Sequence, residues 1–144
     1  MAQKAPFPEN LLCADLDYYI RYKLNKKGVG LKIFDPEAME EYVRCTTPEQ
    51  IHAVCEDYRA TVTVDLEMDK ADYGKRRIGC PTLAIWGSNS HCGRHFSPIE
   101  AWSEWCDDLR GFPVPTGHYP AEERPDLIGA AFDDFFAGRE PKAP

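Results

Sequence analysis

The stretch Pro81-Thr82-Leu83-Ala84-Ile85-Trp86-Gly87 decides the fold class. It is an apolar run of strand length with no polar alternation. Such a run reads as a strand buried on both faces, the pattern of a parallel sheet covered by helices. Downstream, Ser97-Pro98-Ile99-Glu100 has the form of a helix start, and Trp102, Trp105, Cys106 and Leu109 then share one helical face. Phe112-Pro113-Val114-Pro115 reads as a short second strand, followed at once by Thr116-Gly117-His118. Pro125 opens a last helix, expected to turn Leu127, Ile128, Ala131, Phe132, Phe135 and Phe136 inward. The order is strand, helix, strand, helix, which calls for a parallel sheet in an α/β fold. An isolated pair of strands is marginal, and a buried-type strand wants more neighbours than one. The expectation is the back portion of a larger core.

Upstream the period is helical. Residues 1–8 are polar and proline-containing and read as extended. Leu11, Leu12, Leu16, Tyr19, Ile20 and Leu24 follow at helical spacing, with a break expected at Cys13–Asp15 and a stop at Asn25-Lys26-Lys27-Gly28 before Gly30. Asp35-Pro36 starts a helix carrying Met39, Tyr42 and Val43. Thr47-Pro48-Glu49-Gln50 starts another with Ile51, Val54, Cys55 and Tyr58, running to about Val64. Residues 65–74 are highly charged and partly helical. The expected division is a helical segment over 8–75 and an α/β segment over 76–138.

The 144 residues are 43% hydrophobic and 12% aromatic, which fits a globular chain. A net charge of −7 disfavours nucleic acid and anionic membranes as partners. No apolar run reaches the ~18 residues of a membrane span, and Met1-Ala-Gln-Lys-Ala-Pro6 lacks the apolar core of a secretory signal. The six cysteines are single and widely spaced, so reduced thiols and a cytoplasmic location are expected.

Four blocks then carry a resemblance. Cys55-Glu56-Asp57-Tyr58-Arg59, Asp65-Leu66-Glu67-Met68-Asp69, Cys80-Pro81-Thr82-Leu83-Ala84-Ile85-Trp86-Gly87 and Thr116-Gly117-His118-Tyr119-Pro120-Ala121-Glu122-Glu123 resemble, in order, the C-terminal half of the haloacetate (fluoroacetate) dehalogenases, which are α/β-hydrolases. Phe34-Asp35-Pro36-Glu37-Ala38 and Cys13-Ala14-Asp15-Leu16-Asp17-Tyr18 also fit that family's cap helices. The resemblance implies the C-terminal part of an α/β-hydrolase: cap helices, then the last two parallel strands and helices of the core. It implies hydrolytic dehalogenation without metal or organic cofactor. An aspartate attacks the carbon bearing the halogen, halide leaves, and water activated by a histidine cleaves the ester.

Under this resemblance His118 matches the general base, and Tyr58 the phenol that stabilises departing halide. A histidine in a surface loop would show the same tripeptide; the strand before it and Glu122-Glu123 after it favour the base position. Tyr58 on an apolar helical stripe is otherwise a core residue. The reading expects both side chains at a shared cavity. The nucleophilic aspartate, the carboxylate-binding arginines, the acid that orients the base and a His-Trp pair are all expected before Met1. The chain has no strand–turn–helix nucleophile elbow of the G-x-S-x-G kind. Ser88-Asn89-Ser90, where many α/β-hydrolases place their acid, has no carboxylate, which fits the fluoroacetate type. The chain alone is therefore expected not to turn over. Its implied partners are a small halogenated carboxylate and either a complementary N-terminal chain or a second copy. An epoxide hydrolase, an esterase or a non-catalytic pairing module stay open. His91, Cys92 and His95 lack a second cluster at ligand spacing, so no metal is expected. Asp65, Glu67, Asp69 and Asp72 read as a solvated face, and Cys55 and Cys80 as small buried hydrophobes.

Overall fold

The computed structural model describes residues 1–25 and 30–143. They fall into two compact units, Met1–Tyr73 and Gly74–Pro144. The first unit is helical. The early apolar stripe forms two helices, α1 (Phe7–Leu12) and α2 (Leu16–Leu24), broken at Cys13–Asp15. Asp15 starts the second, its carboxylate accepting the Tyr18 amide at 3.0 Å. α1 opens at Phe7 rather than after an extended 1–8 segment, because proline in its first turn is already set for helix. α2 ends at Leu24, and the expected stop at residues 26–28 lies outside the described residues.

After a 3₁₀ turn come α3 (Pro36–Cys45), α4 (Pro48–Thr61) and α5 (Val64–Asp72). Asp35 caps α3 through the Glu37 amide at 2.8 Å, and Thr47 caps α4 through the Gln50 amide at 3.3 Å. α4 stops before Val64. Thr61 and Thr63 turn their hydroxyls back to the Asp57 and Arg59 carbonyls at 3.0 and 2.6 Å, competing with the helical ladder. Phe34, Met39, Ile51 and Cys55 are the buried hydrophobic residues of this unit. Ile51 and Cys55, four apart on α4, are fully inaccessible.

The second unit runs β1 (Thr82–Gly87), α6 (His91–His95), α7 (Pro98–Ser103), β2 (Leu109–Val114), α8 (Pro120–Glu123) and α9 (Pro125–Phe136). β1 and β2 pair in parallel, from Thr82 opposite Leu109 to Gly87 opposite Val114. β2 begins at Leu109, so the helix expected to carry Trp105, Cys106 and Leu109 is shorter than its sequence pattern. The cause is Arg77, whose guanidinium donates to the carbonyls of Ser103 (3.1 Å), Glu104 (2.8 Å) and Cys106. It caps the carbonyls that further helical turns would have used, and Ile78 bridges Cys106 alongside the sheet.

Phe112, Val114, Ile128 and Ala131 form this unit's core, packed by Leu83, Ile85 and Leu127. Phe132 (46% exposed) and Phe136 (81%) do not face inward as expected. A two-stranded sheet gives α9 a seat only one stripe wide. β1 is likewise half-buried rather than buried on both faces. It opens onto an apolar cavity of about 450 Å³ whose lining includes Leu83, Ile85, Trp86, Cys92, Pro98 and Trp102. Cys80 is exposed, against the buried reading, whereas Cys55 is buried.

Candidate functional site

His118 sits just past the C-terminal end of β2, in the loop before α8. In parallel sheets that is the end where ligands bind. β1 and the histidine loop are knitted together there. The Ser88 amide donates to the Val114 carbonyl at 2.8 Å, and the Asn89 amide to the Thr116 carbonyl at 3.0 Å. Gly87 allows the approach: a β-carbon there would overlap the Gly117 carbonyl oxygen and lie 2.7 Å from that of Thr116. Ser90 closes the turn, donating from Oγ to the Gly87 carbonyl (2.7 Å) and capping α6 through the Gly93 amide (3.0 Å).

The loop has a second anchor. Glu123, on α8, accepts the Gly117 amide at 2.6 Å through one carboxylate oxygen and the Tyr119 amide at 3.1 Å through the other. The two amides flank His118. Its ring lies edge-on to Tyr119, with centroids 4.9 Å apart. Burial raises the Tyr119 phenol above its ordinary range. Thr116 is 2% exposed, and its hydroxyl has no hydrogen-bond partner among the described residues. His118 itself is exposed.

Tyr58 belongs to the first unit, on α4, and is 42% exposed. Lys23 of α2 donates to its hydroxyl at 3.4 Å and lies 5.5 Å from the ring centroid. The phenol thus accepts from a cation and keeps its own proton to donate. Burial pushes the Tyr19 phenol up, and the proximity of Tyr58 and Cys55 adds to this.

Next to Tyr58, Arg59 joins three acceptors from different parts of the first unit. It donates to Glu56 (2.6 Å), to the Gln3 carbonyl (2.9 Å) and to Glu9 (2.6 Å), a buried carboxylate on α1. Burial opposes ionisation of Glu9. The hydrogen bond from Arg59 and the further favourable contacts outweigh this and hold the carboxyl below its usual value. Glu9, His52 and Glu56 converge within 4.8 Å, a spacing that could hold a cation. Arg59 already places its positive charge on both carboxylates. Among the described residues His91, Cys92 and His95 join no such group. Asp65, Glu67 and Asp69 are exposed, as a solvated face would be, whereas Asp72 is half-buried.

No family model matches the chain. It is 36% identical over 139 residues to a fluoroacetate dehalogenase from a Burkholderia species, covering 95% of this chain and 45% of that protein. A provisionally named α/β hydrolase from a Nostoc species superimposes with TM-score 0.88 at 40% identity, over 94% of this chain and 46% of that one. A provisionally named epoxide hydrolase from Pseudomonas aeruginosa gives TM-score 0.86 at 34% identity, over 95% and 46%. The chain spans about half the length of the proteins it matches. Among the described residues no helix is long and apolar enough to cross a membrane.

Proposed function

Because the chain folds as the C-terminal half of an α/β-hydrolase, we propose that it supplies the base and the halide donor of a hydrolytic dehalogenase for small halogenated carboxylates. The observation that carries this is the 36% identity with a fluoroacetate dehalogenase across nearly the whole chain. Position supports it: His118 stands at the C-terminal end of β2.

The reaction divides between this chain and a nucleophile that its sequence does not contain. An aspartate oxygen from a complementary N-terminal chain attacks the halogen-bearing carbon, and the carbon–halogen bond breaks. Tyr58 donates its phenolic proton in a hydrogen bond to the departing halide, with the Lys23 ammonium beside it adding positive charge. His118 then takes a proton from water as that water adds to the aspartyl ester, releasing glycolate and regenerating the carboxylate. Both side chains are exposed here, and the complementary chain would cover them.

Halide release from fluoroacetate tests this. The chain alone should release none above background. The chain mixed with an N-terminal half of a fluoroacetate dehalogenase should restore release, and H118A in that mixture should abolish it. Release unaffected by H118A would overturn the assignment. Diol formation from an epoxide, with no halide release, would favour an epoxide hydrolase instead, the reading suggested by the Pseudomonas structure.

A further inference from the structure

We propose that Glu123 is the positioning residue of the candidate base, clamping the loop that presents His118. This deepens the reading above and rests on it for its catalytic meaning, though the clamp itself is a matter of geometry. One carboxylate supplies two acceptors, and it spends them on the Gly117 and Tyr119 amides. The Tyr119 amide belongs to the peptide group that follows His118, and the Gly117 amide to the Thr116–Gly117 peptide one residue before it, so the backbone is held on both sides of the histidine. A loop of the form Thr-Gly-His-Tyr has no ladder of its own, and its amides need acceptors. The Glu123 carboxylate provides charge-assisted ones, the stronger kind.

The clamp also explains the short α8. Pro120 begins it, and its single turn returns the carboxylate of Glu123 to the loop four and six residues back. On the far side, the Thr116 carbonyl is fixed by the Asn89 amide at the end of β1. His118 is thereby held between a strand-end contact before it and a carboxylate contact around it.

The test uses the full chain and nuclear magnetic resonance. In the parent, the Gly117 and Tyr119 amide protons should lie downfield and exchange slowly. In E123A, exchange of both amides should quicken by about tenfold or more. The ring-current shift that the nearby Tyr119 ring imposes on the His118 ring protons should change. E123Q keeps the size and one acceptor, so it should retain one protected amide and release the other. Gly117 and Tyr119 amides that exchange no faster in either variant than in the parent would overturn the clamp. H118A, which leaves both acceptors in place, should keep the amides protected. If protection survives in H118A while the halide assay shows no dependence on His118, the clamp stands and the dehalogenase reading falls.

Discussion

Replacing Gly87 by alanine probes the joint between β1 and the histidine loop. The new methyl would overlap the Gly117 carbonyl oxygen and sit 2.7 Å from that of Thr116, against the ~3.3 Å of a close carbon–oxygen contact. Both obstacles are backbone, so no side chain can rotate away. Relief requires the loop to leave the strand end by roughly an ångström, the overlap with Gly117 being the deeper of the two. The Asn89 amide to Thr116 carbonyl bond, now 3.0 Å, would then be lost, and the neighbouring Ser88 to Val114 bond at 2.8 Å strained. One lost bond is worth about 1 kcal/mol, and residual overpacking a further 1–3 kcal/mol, for a total of about 3 kcal/mol. In a small domain that lowers Tm by roughly 12–24 °C. Thermal and urea unfolding of the parent and G87A measure it. A change under about 0.5 kcal/mol would refute the reasoning, since it would mean that strand and loop are not in contact.

Three further outcomes are expected. T116V should leave stability unchanged or raise it by up to ~1–2 kcal/mol, because the buried hydroxyl has no partner to lose; a loss above ~1 kcal/mol in urea unfolding would reveal one. Glu9 has a lowered folded-state pKa, so its contribution is present above its unfolded value of about 4.5 and fades as pH falls through the folded one. A Tm–pH series should therefore show a steeper acid decline in the parent than in E9Q, and parallel curves would contradict the pairing. In the two-chain halide assay, Y58F should cut the rate by about ten- to a hundredfold through loss of a hydrogen bond to charge, and K23M by less; an unchanged Y58F rate would remove Tyr58 from the site.

Local features were legible because each is decided within a few residues. Asp35 and Thr47 cap helices where the sequence places them, the break falls at Cys13–Asp15 as expected, and the run ending at Gly87 became the expected strand. The errors share another cause, contacts from far along the chain. The helical spacing of Trp102, Trp105 and Leu109 was real, but Arg77, more than twenty residues upstream, caps the helix after Trp102 and before it can use Trp105 and Leu109. Phe132 and Phe136 carry a helical stripe wider than a two-stranded sheet can cover. Arg59 reads locally as a partner for Glu56, and only the fold brings Glu9 to it.

The candidate site shows the same division between identity and placement. His118 is recognisable because glycine, histidine and a preceding strand are adjacent in sequence. Its environment is not, since Gly87 reaches it from another strand and Glu123 by folding back one turn. The pair Glu122-Glu123 was visible, but the return of the Glu123 carboxylate to the loop could not be seen without the turn at Pro120. The half-buried β1, the cavity beside it and the exposed imidazole all point the same way. An apolar strand with one partner leaves a row of unpaired backbone groups, and such an edge favours a further strand. A complementary chain that adds one beside β1 would cover Leu83, Ile85 and Trp86 as their sequence demands, and would bring its own strand end to the side where His118 stands. Structural completion and catalytic completion would then be one event, so stability and halide release should rise together as that chain is titrated in.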